Sequence, residues 1–168
     1  IGTPPDSHIS LAIEAIREKP KAILIEKPIC IPNMKDVSIF LDLAKKNSIY
    51  VFSGYDHVLG EASEKICNLL NNRNINMPLT MDVEFREHWG GIFAAHPWLN
   101  GPSDSYLGFW NKGGGACGEH SHAINLWQYF SNILGVGDII EVQALLDYVE
   151  NNEVSYDQLC CLNVTTDK

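Results

Sequence analysis

The apolar positions in the first 54 residues follow two patterns, and segments of the two patterns alternate along the chain. Residues 9–17 and 34–46 carry apolar side chains three and four positions apart, which predicts amphipathic helices. Residues 21–26 and 49–53 contain short continuous apolar runs, and the first Pro or Gly after each run ends it. Such runs are typical of parallel strands buried on both faces. Strands that alternate with helices at this spacing predict βαβ units and a parallel sheet.

The pattern changes after Gly54. Residues 62–70 have helical spacing, and a run of polar residues follows them. Residues 79–87 alternate strictly between apolar and polar side chains, which predicts a half-buried strand of an antiparallel or mixed sheet with one face in water. The second part of the chain is therefore built differently from the first.

Further elements are predicted towards the end of the chain. Apolar residues recur at helical spacing from Ile124, and residues 139–149 and 158–165 resemble two more strands. The expected fold class is α/β followed by α+β, with a boundary near Gly54. We expect residues 1–54 and 55–168 to form separate units.

Residues 88–112 form a segment rich in aromatic residues, Gly and Pro, with no helical or strand period. An irregular segment of this length inside a compact domain is uncommon and is often a binding loop. The His96-Pro97-Trp98 run and Asp104 are its candidates for substrate contact, because aromatic faces and carboxylates suit polyhydroxylated rings. The alternative is a surface loop that buries its own aromatic side chains.

Composition narrows the class of partner. The chain has 168 residues, 45% of them hydrophobic, and a net charge of −9, with 12 basic residues scattered among 21 acidic ones. This charge disfavours nucleic acid and anionic membranes as partners. The five cysteines form no disulfide framework, and no apolar run approaches the length of a membrane span. These features predict a cytoplasmic protein that binds a small molecule. We also expect both ends of the sequence to be cut ends of a longer protein.

Two stretches carry candidate chemistry. Three glycines at 113–115 precede Glu119, His120 and His122 at the start of the predicted helix. Flexible backbone beside titratable groups suits a reaction centre, since imidazole charge is easily tuned near neutral pH. The alternative is a glycine loop whose histidines only cap and pack. Lys27 follows a predicted buried strand, at the edge where open α/β sheets bind ligands. The alternative is that the strand leaves the core at this point and Lys27 lies in solvent.

Taken in order, these motifs resemble the Gfo/Idh/MocA oxidoreductases, named after glucose-fructose oxidoreductase and inositol dehydrogenase. The resemblance covers nearly the whole chain. Its motifs are Thr3-Pro4-Pro5, His8, Glu26-Lys27-Pro28, Gly54-Tyr55-Asp56-His57, and the triple glycine with His122. Each motif is weak alone, and the ordered set is specific.

The resemblance implies a two-part enzyme. A Rossmann domain would bind NAD or NADP, and a C-terminal α+β domain with a large, mostly antiparallel open sheet would hold the substrate and form a homo-oligomer, a dimer or tetramer. The implied reaction moves a hydride between the nicotinamide and a hydroxyl or keto carbon of a sugar, cyclitol or sugar derivative.

The resemblance also implies residue roles. Lys27 would contact both the nicotinamide ribose and the substrate, and His122 would be the acid/base, assisted by Glu119 or His120. The implied cofactor contacts are Thr3, Pro4, His8, Glu26, Lys27 and Pro28. The implied substrate contacts are Tyr55, His57, Trp98, Asp104 and Asn125.

Two features depart from the family pattern. The Gly-x-Gly-x-x-Gly fingerprint is absent, together with the first Rossmann strands, so we expect the chain alone to bind dinucleotide poorly. The family usually has Asp four residues before the catalytic His, and that position here is Gly118. Whether Glu119 or His120 replaces it stays open.

Two other readings compete with an oxidoreductase. Cys117, Glu119, His120 and His122 lie within six residues, and zinc accepts all three ligand types. Their spacing matches no closed zinc finger, and we expect no metal. A non-catalytic binding or assembly module of the same fold is the other alternative, motivated by the missing Asp.

Overall fold

The computed structural model describes residues 1–71 and 80–168. Its α-helices are α1 (Pro5–Ala15), α2 (Val37–Lys46), α3 (Glu61–Asn71), α4 (Trp89–Ala95), α5 (Gly115–Glu119) and α6 (His122–Leu134). Its strands are β1 (Ala22–Ile25), β2 (Tyr50–Ser53), β3 (Ile139–Glu150) and β4 (Ser155–Thr166). Short 3₁₀ helices cover Ile16–Glu18, Asp56–Leu59, Pro102–Asp104, Tyr106–Gly108 and Trp110–Lys112.

Local chemistry sets the ends of the first two helices. α1 begins at Pro5, because proline has a helical φ and needs no N–H donor in the first turn. α2 begins at Val37 and not at Met34, because Met34 and Asp36 have φ of 51° and 60°. A residue in the left-handed region cannot belong to a right-handed helix.

The first hydrophobic core lies between α1, α2 and one face of β1. It contains Ile9, Ala12, Ile16, Ile23, Ile25, Phe40, Ala44 and Ile49. Helical spacing in α1 and α2 and the two-residue alternation in β1 bring these side chains to a common interior. The predicted helices therefore bury most of the faces that their sequence pattern indicates, although Leu41 of the α2 stripe is 50% exposed.

β1 and β2 pair in parallel, from Ala22 opposite Tyr50 to Ile25 opposite Ser53. The prediction that both strands are buried on both faces is wrong. β1 alternates between exposed and buried residues, and Phe52 in β2 is 55% exposed. The helices cover one face of this pair, and Leu24 on the opposite face borders an open cleft.

The predicted strand at 79–87 is absent where the structure describes the segment. Residue 79 lies outside the described residues, and residues 80–88 form no β-ladder with any described strand. Met81, Val83 and Phe85 are nevertheless less exposed than the polar residues between them. The alternating pattern thus correctly gives the faces, but a strand also requires a partner backbone.

The segment 88–112 is not an irregular loop. It contains α4 and three 3₁₀ turns, and the His88 Nδ1 atom accepts the Gly90 N–H at the start of α4. Its helical part is short and rich in glycine, so no clear helical period is visible in the sequence.

β3 and β4 form an antiparallel hairpin that pairs from Ile139 opposite Thr166 to Glu150 opposite Ser155. α5 begins at the last of the three consecutive glycines and packs against β4 of this hairpin. The parallel pair followed by the antiparallel pair confirms the predicted fold class of α/β and then α+β. The boundary near Gly54 stays a prediction.

None of the helices within the described residues is long and apolar enough to cross a membrane.

Candidate active site

Lys27 and Glu119 form an ion pair across 92 positions of sequence. The Lys27 Nζ atom lies 2.6 Å from Glu119 Oε1 and 2.8 Å from the Glu119 carbonyl oxygen. The two side chains are 18% and 12% exposed. Lys27 lies two residues after the end of β1 and precedes a cis peptide bond to Pro28. Its ammonium group is thus fixed at the carboxyl end of the parallel strands.

Tyr106 holds the other oxygen of the same carboxylate. Its hydroxyl donates to Glu119 Oε2 at 2.6 Å. Burial, and then the neighbouring Glu119 carboxylate, raise the pKa of Tyr106 far above its ordinary value. Tyr106 therefore stays a neutral donor, and Glu119 keeps a fixed orientation towards Lys27.

Glycines bring Glu119 to this position. Gly113 has φ of 93° and lies so close to Pro28 and Pro5 that a Cβ atom would come within 3.0 Å of Pro28 Cγ. Gly115 has φ of 79° and faces Asp157 Oδ1. These close approaches place α5 against both the Lys27-Pro28 turn and β4.

Asp157 anchors the start of α5. The side chain is 2% exposed, and its Oδ2 atom accepts the Cys117 N–H at 2.7 Å. Burial raises the pKa of this carboxyl, and the hydrogen bond from Cys117 partly offsets that effect. Asp157 thus stabilises the short helix that carries Glu119 at its end.

His122 begins α6 and is buried, with 9% exposure. Its Nδ1 atom has no hydrogen-bond partner among the described residues. Burial lowers the pKa of His122, and the Lys27 cation lowers it further. The imidazole is therefore held towards its neutral form, which can accept a proton.

Aromatic rings surround His122. The His57 ring lies 4.3 Å away between centroids, and Phe85 and Tyr55 lie at 5.3 Å and 5.8 Å. The Tyr55 hydroxyl is 2.9 Å from Ser121 Oγ. Rings from the segments 55–57 and 80–88 thus enclose the imidazole at the start of α6.

An open cleft of about 360 Å³ joins these groups. Its lining includes Leu24, Glu26, Lys27, Tyr55, His57 and His122. It therefore brings together the predicted catalytic pair, one further predicted cofactor residue and two predicted substrate residues. Gly54 also lines this cleft, and a Cβ atom there would come within 2.6 Å of Glu26 Oε2.

His120 takes a different position. Its Nδ1 atom lies 3.1 Å from Glu87 Oε2, and its Nε2 atom accepts the Trp89 indole N–H at 3.2 Å. Burial lowers the pKa of His120, and Glu87 opposes that effect. Because both ring nitrogens are engaged, His120 packs beside the site, and Glu119 is the group that contacts Lys27.

The structure does not bring the four candidate zinc ligands together. Glu119 is bound by Lys27 and Tyr106, whereas His120 is bound by Glu87 and Trp89. The Cys117 thiol faces the thiol of Cys160, and burial raises the pKa of both.

Three other predicted residues, His8, Trp98 and Asp104, lie outside the cleft. His8 is fully buried, with ring nitrogens 3.0 Å from the Pro28 carbonyl and 2.6 Å from the Thr3 carbonyl, so it offers no surface for direct cofactor contact. Trp98 is 70% exposed and packs edge-on to His96. Asp104 accepts hydrogen bonds from Asn100. None of these arrangements places a predicted contact beside His122.

Positions near the chain start are compatible with a ligand. Thr3 pairs with Ser7 in an exposed turn, and Pro4 borders a second cleft of about 270 Å³ that Asp104 also lines. Asn125 is half-buried on α6, three residues after His122.

Sequence reasoning missed Tyr106, Glu87 and Asp157 as parts of this site. The nearest signal for Asp157 is an acidic residue directly before the predicted strand at 158–165. Tyr106 and Glu87 give no such signal, because only the folded chain brings them to Glu119 and His120.

We expect Asp157→Ala to lower the free energy of unfolding by about 1–3 kcal/mol, because the buried Cys117 N–H loses its acceptor. Asp157→Asn retains an acceptor oxygen and is the matched control. Urea unfolding of both variants measures the difference. Equal stability of Asp157→Ala and the unaltered protein would contradict the anchoring role.

Comparison of the unaltered protein with Asp157→Asn also reports the ionisation of Asp157. Its pKa is higher in the folded state than in the unfolded state, where it is about 4, so the folded protein holds this proton more tightly. Relative to Asp157→Asn, the unaltered protein should therefore lose stability as pH rises from about 4 through the folded pKa. A difference that is independent of pH would exclude this effect.

Comparison with known proteins supplies one informative structure. No family model matches the chain, and a comparison with curated proteins finds no match. The chain is similar to the crystal structure of GenD2, from gentamicin A biosynthesis, in complex with NAD, with a TM-score of 0.69 and 16% sequence identity. The match covers 98% of this chain and 43% of that one. At this identity, the likeness shows a shared fold, and the chain spans less than half of the GenD2 structure.

Proposed function

We propose that the chain is part of an NAD-dependent oxidoreductase of the Gfo/Idh/MocA type. The observation that carries this proposal is the Lys27 ammonium, fixed by Glu119 at the carboxyl end of two parallel strands and sharing one cleft with His122. Ligands of open α/β sheets bind at this edge. The shared fold with an NAD-bound structure supports the same cofactor.

The residues present fit the nicotinamide end of a dinucleotide. Gly54 leaves the space that the Glu26 carboxylate occupies, and this carboxylate lines the cleft beside Lys27. A carboxylate in this position is able to accept hydrogen bonds from ribose hydroxyls. We propose that Thr3, Pro4, Glu26, Lys27 and Pro28 surround the cofactor, while His8 supports two of them from below through the Thr3 and Pro28 carbonyls.

Lys27 and His122 divide the acid/base chemistry between them. When bound, NAD supplies the hydride acceptor. Lys27 donates a hydrogen bond to the substrate oxygen and stabilises the negative charge that develops there. His122 receives the hydroxyl proton, because its imidazole is held towards the neutral form beside a cation. Glu119 and Tyr106 keep the ammonium in place.

The cleft suits a polyhydroxylated substrate. Within about 360 Å³ it offers carboxylate, ammonium, phenol and imidazole groups, and several convergent polar groups fix the orientation of a small ligand. We therefore propose a secondary alcohol of a sugar, cyclitol or sugar derivative as the substrate, with Tyr55 and His57 as its contacts and Asn125 close behind His122.

The hairpin supports assembly into a homo-oligomer. β3 and β4 expose large apolar side chains, and larger apolar patches mark interaction sites. These side chains are Ile139, Ile140, Val142, Leu145, Leu146, Tyr148 and Leu159. A dimer or tetramer through this hairpin is our proposal.

Titration with NADH and NADPH, followed by cofactor fluorescence, tests the proposed function. We expect the full-length protein that contains this chain to bind NADH, and this chain alone to bind at least about tenfold more weakly, because the sequence lacks the glycine-rich pyrophosphate loop. ADP-ribose should displace the bound NADH. Absence of binding by the full-length protein would favour the non-catalytic module instead.

A further inference from the structure

Asp56, His57 and His122 bring three potential metal ligands to one place. Asp56 and His57 begin the 3₁₀ turn after β2, and His122 begins α6. One ligand atom from each of the three lies within 4.8 Å of the other two. We propose that these residues form a site for a first-row divalent cation, zinc above all, which competes with the proton for His122.

The state of His122 gives an independent reason for a ligand. The residue is nine-tenths buried, and its Nδ1 atom has no hydrogen-bond partner among the described residues. Buried polar atoms are normally paired, and an unpaired one points to a missing partner. A cation bound by this imidazole lies among the ring nitrogens of His122 and His57 and the Asp56 carboxylate.

The ligand set matches zinc chemistry. Two imidazoles and one carboxylate are common ligands of zinc sites that keep a fourth position open for water or substrate. Ligand atoms in such a tetrahedral site lie about 3.3 Å apart, so the present group must contract slightly. His57 and Asp56 have exposed side chains, 47% and 82% respectively, and both are free to move inward. The same exposure gives the cation a path from solvent.

Charge in the cleft permits a cation. The Lys27 ammonium opposes it, but the Glu119 carboxylate neutralises this ammonium at 2.6 Å. The carboxylates of Asp56 and Glu26 line the same cleft. The excess of acidic over basic residues in the whole chain adds a weak attraction.

Occupation of this site has a consequence for catalysis. A cation on His122 uses the lone pair that would otherwise accept the substrate proton. Bound zinc therefore inhibits the proposed hydride transfer, and a chelator restores it. The binding itself does not depend on the proposed function, so the two proposals can fail separately.

Titration calorimetry with ZnCl₂ and absorption spectra with CoCl₂, on the tag-free full-length protein that contains this chain, test the site. We expect one equivalent of Zn²⁺ to bind with micromolar affinity, and Co²⁺ to give the intense visible bands of a four- or five-coordinate site. His57→Gln and Asp56→Asn should each weaken binding at least about tenfold. His96→Gln changes an exposed histidine outside the cleft and should leave binding unchanged.

Three outcomes would overturn the proposal: absence of Zn²⁺ binding, binding that His57→Gln and Asp56→Asn leave intact, or equal weakening by His96→Gln. His57→Gln alters an exposed side chain, and circular dichroism verifies that the variant is folded. NADH titration of the same samples separates the two proposals. Zinc binding without NADH binding would preserve the metal site and reject the oxidoreductase.

Discussion

Replacing Lys27 with methionine is expected to lower kcat/KM of the proposed NAD-dependent reaction by about 10²–10³-fold, the usual effect of removing a donor that stabilises developing charge. Methionine keeps the length and the apolar stem of lysine but cannot donate to the substrate oxygen. The measurement is steady-state kinetics of the full-length protein with NAD and a panel of sugars and cyclitols. Most of the loss should appear in kcat, since the oxygen carries its greatest charge in the transition state.

Stability must be separated from chemistry in this experiment. Among the described residues, Lys27→Met leaves the Glu119 carboxylate with only Tyr106 as a side-chain donor, which should lower the free energy of unfolding by roughly 1–3 kcal/mol. The double variant Lys27→Met/Glu119→Gln removes both charges and should recover part of that stability without recovering activity. Lys65→Met, at an exposed position on α3, is the surface control.

The outcome that would reject the assignment is specific. If Lys27→Met retained full activity, or if the double variant recovered both stability and activity, the Lys27–Glu119 pair would have only a structural role. Equal losses in Lys65→Met and Lys27→Met would point to a general effect of removing positive charge.

Gly115→Ala is expected to lower the free energy of unfolding by about 2–5 kcal/mol, from a left-handed backbone and an overpacked contact together. Gly115 has φ of 79°, and a Cβ atom there would overlap Asp157 Oδ1. Asp157 is 2% exposed and is held by the Cys117 N–H, so it has little room to move. Urea unfolding of the full chain measures the change.

Gly91→Ala is the matched control. Gly91 lies within α4, and a Cβ atom there would meet nothing within 4 Å. Alanine is the better helix former, so this change should be neutral or stabilise the protein by up to about 1 kcal/mol. If Gly115→Ala were as stable as Gly91→Ala, the result would contradict the inferred close packing of α5 on β4.

Several elements could be predicted from the sequence because their signals are local. The apolar periods of α1 and α2 indicate both the helices and most of the residues that they bury, and the period of α6 indicates that helix. The short apolar run of β1 gives the parallel strand that ends at Ile25, two residues before Lys27. The segment 80–88 marks the limit of this reasoning, because alternation gives its faces but no sequence pattern provides a partner strand.

The apolar periods of the sequence predict α/β followed by α+β, and the resemblance to the Gfo/Idh/MocA oxidoreductases implies Lys27 and His122 as catalytic residues. They leave open which acidic or imidazole group faces Lys27, and they miss Tyr106 and Asp157. Only the tertiary structure decides that Glu119 holds Lys27 while His120 turns to Glu87. The reason is physical: helix and strand periods depend on neighbours a few residues apart, whereas the Lys27–Glu119 contact spans 92 residues and exists only after α5 packs against β4.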